Sequence, residues 1–190
     1  MRPYWEQRHR AVHGLRAVAN LDRSEAENAK EYEVARARLA ALIRQDFEAA
    51  AALSVLDVGF GQGHDAEVLQ RLGVQDYTGL DFASPRPSGF PPGYRFLRQD
   101  IAAADLEVEG GFSLVLLLDV AFHVVDDDAF ARMVANVRRH ATDRIYVTGL
   151  FRDLPLAPHV RHRPLSAFAE LGTPIDLQPW RDTHLLRIKV

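Results

Sequence analysis

The stretch of sequence that decides the fold is VLDVGFGQGHD, residues 55–65. It opens with a mostly apolar run typical of a buried strand, and three glycines follow at alternate positions: Gly59, Gly61 and Gly63. Glycine is a poor residue for any regular element, but it adopts positive φ angles and leaves no Cβ between the backbone and a ligand. The stretch therefore predicts a strand followed by a turn whose main-chain N–H groups face a small molecule.

The composition is that of one ordinary globular domain, with 190 residues, 47% of them hydrophobic and 26% charged. A net charge of -3 gives no indication of a general affinity for nucleic acid or for an anionic membrane. No apolar run approaches the roughly 18 residues of a membrane span, and we expect no secretory signal. Without cysteine there are no disulfides, so we expect a cytoplasmic protein.

The rest of the chain divides into a helical part and an alternating part. Residues 1–52 are predicted to form a helical lid or cap region, with Ser24 and Glu27 spaced as a capping box. Residues 53–190 alternate strands and helices. The predicted strands are Ser54–Val58, Tyr77–Leu80, Tyr94–Leu97, Ser113–Leu118 and Ile145–Leu150, and the predicted helices are Asp65–Leu72 and Asp127–His140. This alternation predicts an α/β domain with a doubly wound, mostly parallel sheet, and a hairpin of Ile175–Pro179 and Thr183–Val190 closes its last edge.

Two classes of cofactor-binding loop compete for the glycines. Dinucleotide-binding proteins use G-x-G-x-x-G, and here His64 stands where the last glycine is required. The spacing that is present, Asp57-x-Gly59-x-Gly61-x-Gly63, resembles motif I of the class I S-adenosylmethionine-dependent methyltransferases. An NAD(P)-dependent oxidoreductase is therefore the less favoured of these two enzyme classes.

Further motifs resemble the same family in the same order along the chain. Asp81 ends the second strand, where the family's acidic residue takes both ribose hydroxyls, and Phe82 follows where adenine is often flanked. Asp100 and Ile101 match the pair that accepts from the adenine amino group and packs on its ring. The resemblance implies a Rossmann-like fold with seven strands, the cofactor S-adenosyl-L-methionine, and a set of cofactor-binding residues: Trp5, Asp57, Gly59, Phe60, Gly61, Gly63, Asp81, Phe82, Asp100, Ile101 and Asp119.

The segment from Asp119 to His123 resembles the part of the family that lines the methyl-transfer site. His123 is the candidate general base, since an imidazole with an ordinary pKa near 6.5 can remove a proton at neutral pH. The alternative is that His123 only packs against the cofactor or bonds to it. The acidic run Asp126–Asp128 is expected to cap the next helix, and we expect no metal site.

Two segments are predicted to shape the acceptor pocket. One is the N-terminal region with Tyr4, Trp5, Arg8, Asn28 and Tyr32. The other is residues 151–164, whose cationic side chains could bind a carboxylate or phosphate on the substrate, or could simply keep a loop solvated. These side chains are Arg152, His159, Arg161, His162 and Arg163.

The sequence thus predicts a methyltransferase that acts on a small molecule, with oxygen favoured as the accepting atom and natural-product biosynthesis as a possible setting. The run Asp119-Val-Ala-Phe lacks the prolines of the base-methylating members, so no nucleic-acid substrate is expected. The competing hypothesis from another class is a non-catalytic binding module that keeps the methyltransferase fold.

Overall fold

The computed structural model describes residues 2–12 and 14–190. Two α-helices precede the sheet, α1 (Arg2–Ala11) and α2 (Glu25–Asp46). The predicted capping box opens α2: the Glu27 N–H donates to Ser24 Oγ at 3.3 Å, and the Ser24 N–H donates to Glu27 Oε2 at 2.8 Å. That prediction is confirmed. Short 3-10 turns lie at Gly14–Ala17 and Ala50–Ala52.

The remaining elements alternate as predicted. The strands are β1 (Ser54–Val58), β2 (Asp76–Leu80), β3 (Arg95–Leu97), β4 (Phe112–Leu117), β5 (Ala141–Gly149), β6 (Leu154–Ala157), β7 (Val160–His162), β8 (Thr173–Trp180) and β9 (Thr183–Lys189). The helices are α3 (His64–Arg71) and α4 (Asp127–His140), with 3-10 turns at Ala121–His123 and Leu165–Leu171. Asp126 caps α4 by accepting from the Ala129 N–H at 2.8 Å, as predicted.

Seven of the strands form one sheet in the order β3-β2-β1-β4-β5-β9-β8. Strands β1 to β5 are parallel to one another, and β9 is antiparallel to both β5 and β8. Helices α2 and α3 pack on one face of this sheet and α4 packs on the other. The predicted fold class, a doubly wound and mostly parallel seven-stranded sheet with an antiparallel C-terminal strand, is confirmed.

Two elements differ from the prediction. Strand β5 begins at Ala141, directly after α4, and not at the predicted Ile145. Residues 151–164 were expected to be a loop, whereas the structure contains the antiparallel hairpin β6–β7 there. Its signal is weak because Pro155 interrupts the first strand and the second strand is three residues long and partly basic. The hairpin lies outside the main sheet, so it adds a flap after β5 without changing the fold class.

A buried ion network ties the end of α2 to the last two strands. The guanidinium of Arg187 donates twice to Asp176, at 2.7 and 2.6 Å, and once to Asp46 at 2.5 Å. Tyr146 donates its hydroxyl hydrogen to the second oxygen of Asp46 at 2.6 Å. Arg187 is 5% exposed, so the cost of removing its charge from water is offset by these three bonds.

Candidate functional site

A cavity opens at the carboxyl ends of β1, β2 and β4, where the strand order reverses on either side of β1. Open α/β sheets bind ligands at this crevice. Helices α1 and α2 and the turn between β8 and β9 supply the rest of its wall. Of the predicted site residues, the structure brings these together on the wall: Trp5, Gly59, Phe60, Gly61, Asp81, Phe82, Asp100, Ile101, Asp119 and His123.

Two glycines give the turn after β1 its shape, and a residue with a side chain would not fit at either position. Gly59 has φ 76° and Gly61 has φ 54°, both in the left-handed region. A Cβ on Gly59 would collide with Val120, and one on Gly61 would lie 2.9 Å from Val18. The glycines therefore let the main chain after β1 line the cavity. Their N–H groups donate within the protein, to the Leu80 carbonyl from Gly59, to Asp81 from Gly61 and to the Phe60 carbonyl from Gly63, which corrects the prediction that these groups face a small molecule.

Asp81 lies at the end of β2 and is held by three backbone groups. Its Oδ1 accepts from the N–H groups of Ala83 and Ser84 at 2.7 and 2.9 Å, and its Oδ2 accepts from the Gly61 N–H at 3.0 Å. A carboxylate has about four acceptor positions, so one remains. A ribose bound through both hydroxyls would have to share Asp81 with one of these N–H groups.

Asp100 and Ile101 form part of the next loop along the edge of the sheet. Asp100 Oδ1 accepts from the Ala102 N–H at 2.9 Å, which fixes its carboxylate in a tight turn. The Ile101 carbonyl accepts from the side-chain amide of Asn136 at 2.7 Å, and the Ile101 side chain is buried in the cavity wall. The loop thus presents an acceptor beside an apolar surface.

Asp57 and Gly63 do not line the cavity. Asp57 is buried within β1, where its Oδ2 accepts from the Tyr77 hydroxyl at 2.8 Å. Burial raises the pKa of Asp57 well above its ordinary value, and the charge of nearby Asp65 adds to the rise. Gly63 forms the N-cap of α3 with φ 83°, and a Cβ there would face Phe90. Both residues therefore belong to the structure around the glycine turn and do not form part of the cavity wall.

Asp119 follows β4 in a conformation that is unusual for a residue with a side chain, with φ 58°. Its N–H donates to Thr148 Oγ1 at 2.6 Å, and the Thr148 hydroxyl donates back to Asp119 Oδ1 at 3.0 Å. Arg181, in the β8–β9 turn, donates to Asp119 Oδ2 at 2.5 Å and has φ 47°. Two residues held at positive φ therefore meet at the cavity, and such strain is concentrated at functional sites.

The cavity also contains a charged group that was not predicted from the sequence, made of Asp65, Arg36 and Arg181. Burial first, and then the charge of Asp119, raise the pKa of Asp65 to about 6. Arg36 lies one turn after Tyr32 on α2 and contacts His64 Nδ1 at 2.7 Å. A signal did exist for the first two, since Asp65 directly follows the glycine stretch and Arg36 shares a helix face with Tyr32.

The N-terminal helix supplies one wall of the cavity. The Trp5 ring meets the His123 ring edge to face, with centroids 4.8 Å apart, and Tyr4 stacks on His159 at 3.9 Å. Arg8 donates to the Tyr4 hydroxyl, to the Arg16 carbonyl and to the Ala19 carbonyl. These contacts fasten α1 over the site.

Among the other residues of the predicted acceptor pocket, Tyr32 lines the cavity and Asn28 does not. Asn28 is buried and donates to the Asn20 carbonyl at 2.8 Å. The cationic side chains of residues 151–164 do not line it either: Arg161 and Arg163 pair with Asp127. Within residues 2–12 and 14–190, no three histidine or acidic side chains are grouped as metal ligands would be.

His123 is fixed by a hydrogen bond from its Nδ1 to the His159 carbonyl, 2.9 Å away. Burial lowers the pKa of His123 to about 4, against the opposing effect of that carbonyl. The ring is therefore neutral at pH 7, with its proton on Nδ1 because a carbonyl can only accept. Its Nε2 is consequently an unprotonated acceptor.

No protein-family model matches the chain, and no curated protein matches it. Solved structures do match. A magnesium protoporphyrin IX methyltransferase (ChlM) from Synechocystis PCC 6803 with bound SAH is 17% identical, with a TM-score of 0.69 over 99% of this chain and 96% of that one. A 1,6-didemethyltoxoflavin-N1-methyltransferase from Burkholderia thailandensis is 21% identical, with a TM-score of 0.60 over 83% and 78%.

The N-methyltransferase NodS from Bradyrhizobium japonicum WM9 is also similar, at 16% identity and a TM-score of 0.57 over 83% of this chain and 96% of that one. At these identities the likeness establishes the fold. The chain has the Rossmann-like fold of S-adenosylmethionine-dependent methyltransferases, as the sequence motifs implied. In the part of the chain that is described, no helix is both long and apolar enough to cross a membrane.

Proposed function

We propose that this protein is an S-adenosylmethionine-dependent methyltransferase that acts on a small molecule. The observation that carries the proposal is the meeting of the glycine turn, Asp81 and the pair Asp100–Ile101 on one cavity wall. They follow three neighbouring strands, β1, β2 and β3, in the order that the family resemblance implies. The neighbours of the same fold are methyltransferases, which supports the same reading.

The residues of the cavity fit the nucleoside part of this cofactor. The glycine turn leaves room for a ligand against the main chain, Asp81 has acceptor capacity for ribose hydroxyls, and Asp100 can accept from an amino group. Ile101 and Phe82 offer apolar surface for the faces of a purine. When bound, the cofactor supplies a methyl group on a sulfonium, which is already activated for transfer.

The charged residues of the cavity fit the amino-acid part. Asp65 lies close enough to Asp119, Arg36 and Arg181 for their charges to act on it, and Arg181 also bonds to Asp119. An α-ammonium group would be stabilised by the two carboxylates, and an α-carboxylate by the guanidinium groups. In this proposal Asp57 and Gly63, which were predicted to touch the cofactor, act by supporting the turn.

The acceptor would enter beside α1, where Trp5 and His123 face each other. Residues 1–52 act in this proposal as the lid over residues 53–190, because α1 and α2 close the cavity. With the methyl group already activated, the chain mainly has to orient the acceptor and exclude water.

Four finer features stay predictions from the sequence. They are an acceptor atom of oxygen, an anionic acceptor, a role in natural-product biosynthesis, and a cytoplasmic location. The first requires a group that removes a hydroxyl proton, and His123 is the candidate. The prediction of an anionic acceptor has lost its main support, since Arg161 and Arg163 pair with Asp127.

Calorimetric titration of the purified chain tests the proposal. S-adenosylmethionine and S-adenosylhomocysteine should each bind one to one, and NAD should bind at least about 100-fold more weakly. Equal or tighter binding of NAD would favour the oxidoreductase alternative. A folded protein that releases no heat with either sulfur compound would contradict the proposal, and binding without turnover of any acceptor would favour the non-catalytic module.

A further inference from the structure

The accepting atom of the substrate can be inferred from the surroundings of His123. Two features of the structure limit what this side chain can do: the hydrogen bond at Nδ1 and the aromatic walls around the ring. Both belong to the cavity described above, so the inference rests on the proposed methyl transfer.

The Nδ1 bond fixes the tautomer. A carbonyl oxygen has no proton to give, so Nδ1 must donate to the His159 carbonyl across 2.9 Å. In the neutral ring Nε2 then carries the lone pair. Nε2 has no partner among the described residues and is not sealed from solvent, and His123 lines the cavity. The substrate therefore meets a hydrogen-bond acceptor at this point.

The neighbours of the ring keep it uncharged. Trp5 and Phe122 pack around it, with their ring centroids at 4.8 and 4.6 Å from its own, and the His159 ring lies nearly parallel to it at 6.1 Å. The titratable and charged groups that act on it from other elements are His159 and His162 of the β6–β7 hairpin and Arg8 of α1. Burial of the ring, followed by the charges of His159, Arg8 and His162, opposes its protonation, and the pKa of His123 is lowered to about 4.

A weakly basic imidazole is a poor base for a hydroxyl group. A phenol has an ordinary pKa near 10, so transfer of its proton to a ring with a pKa of about 4 is unfavourable by roughly six orders of magnitude. An alkyl amine meets the same obstacle because it arrives protonated, as lysine does. An anionic oxygen is disfavoured for another reason, since it would face the Nε2 lone pair without a proton between them.

One class of acceptor avoids each of these obstacles. We propose that the substrate is an uncharged aryl or heteroaryl amine, whose N–H donates to His123 Nε2 and whose nitrogen takes the methyl group. The nitrogen lone pair forms the new bond to the methyl carbon while the carbon–sulfur bond breaks and leaves its electron pair on sulfur. The nitrogen, now positively charged, releases its proton to water afterwards. Its flat ring packs beside Trp5.

This proposal departs from the sequence-based prediction of oxygen as the accepting atom, and it gives His123 a positioning role through one hydrogen bond.

A positioning role and a general-base role predict different turnover rates for variants of His123. His123→Gln keeps an acceptor oxygen and should keep the turnover of an aryl amine within about threefold, and His123→Ala should lower it about tenfold, the worth of one hydrogen bond. A general base would lose about 10²–10⁴ in both variants. His140→Gln is the matched control, because His140 also faces a carbonyl, that of Gly110, but lies away from the cavity.

The direct test measures release of S-adenosylhomocysteine with matched acceptors: aniline and phenol, aminonaphthalene and naphthol, aminoquinoline and hydroxyquinoline, and benzylamine as the protonated amine. Each productive aryl amine should exceed its hydroxyl partner at least about tenfold at pH 7, with a rate that is flat between about pH 6 and 9 because neither partner titrates there. Faster turnover of the hydroxyl compounds would overturn the proposal, and so would a panel in which no aryl amine is methylated.

Nitrogen NMR of the histidine rings gives a readout that does not depend on finding the acceptor. With S-adenosylhomocysteine bound, His123 should stay protonated at Nδ1 and unprotonated at Nε2 down to about pH 5. A ring that titrates near its ordinary pKa, or one with the proton on Nε2, would overturn the inference. Calorimetry on the same sample keeps the two proposals apart: absent cofactor binding contradicts the methyltransferase assignment, whereas binding with the wrong tautomer contradicts only the nitrogen acceptor.

Discussion

Buried Arg187 and partly exposed Arg181 lie in opposite kinds of surroundings. Arg187 uses its Nε and both terminal nitrogens on Asp46 and Asp176, and the two oxygens of each carboxylate are engaged. Arg181 donates to Asp119 and lies over the Tyr32 ring at 4.3 Å, but its Nε has no hydrogen-bond partner.

The neighbours of Arg181 share this shortage of partners. Its Nε lies 3.8 Å from Glu31 Oε2, which also lacks a hydrogen bond, and Asp65 has no hydrogen-bond partner among the described residues. The Arg187 network also has one buried nitrogen without a hydrogen bond, the Nε of Arg144 beside Asp46. What separates the two regions is their place: Arg181, Asp65 and Asp119 line the cavity, and the residues of the Arg187 network do not. We infer that the Arg187 network serves stability and the Arg181 cluster serves binding.

The largest expected effect is on the stability side. Arg187→Met removes the cation and leaves Asp46 buried and charged, so the free energy of unfolding should fall by about 3–5 kcal/mol. Urea denaturation measures it. Arg95→Met is the matched control, because its pair with Asp76 is exposed at 3.7 Å, and it should change stability by less than about 1 kcal/mol. Equal effects of the two substitutions would refute the structural role of the Arg187 network.

On the binding side, Asp81→Ala should weaken S-adenosylmethionine binding at least about tenfold and leave the fold intact. Loss of charge-assisted bonds to ribose, at about 1.5–3 kcal/mol each, is the reason. Asp81→Asn keeps one acceptor for the Ala83 and Ser84 N–H groups and should lose less. Asp105→Ala changes an exposed loop carboxylate and serves as the control. A folded Asp81→Ala protein with the parent's affinity would remove this residue from the site.

Elements and site residues could be predicted from the sequence where the signal for them lies in neighbouring residues of the chain. The bounds of β1 and α4 agree with the prediction because each has its own signal, an apolar run in β1 and the Asp126 cap before α4. The wall proposed to hold the nucleoside was predictable in the same way, since Gly59, Asp81 and Asp100 each lie within three residues of the end of a strand.

The charged side of the cavity was not predictable as a unit. Arg36, Asp65 and Arg181 come from α2, α3 and the β8–β9 turn, and only the folded chain brings them together. Likewise, the pairing of Arg161 with Asp127 depends on a hairpin whose strands are too short to be recognised. The low pKa of His123 depends on burial by residues far from it in sequence.

A smaller effect, on the pH dependence of stability, is expected for Asp65 of the Arg181 cluster. Its pKa is about 6 in the folded protein and near 3.9 in an unfolded chain, so the folded state holds more protons between these values. The contribution of Asp65 to stability should therefore fall as pH rises from about 4 to 6, and Asp65→Asn should remove that contribution while buried Asp57, whose pKa is also raised, keeps its own. Denaturation at several pH values measures it. Cofactor affinity of the parent should rise over the same range as Asp65 ionises. The same slope in the parent and in Asp65→Asn would assign the pH dependence to another group.

The claim that the glycine turn holds the cofactor is tested most directly by one calorimetric comparison. Gly61→Val and Gly110→Val both place a branched side chain at a positive φ, 54° and 87°, but a Cβ on Gly110 meets no atom within 4 Å. The second variant therefore controls for backbone strain alone. S-adenosylmethionine should bind Gly110→Val as it binds the parent, and Gly61→Val at least about 100-fold more weakly. Parent-like affinity in a folded Gly61→Val protein would contradict the account.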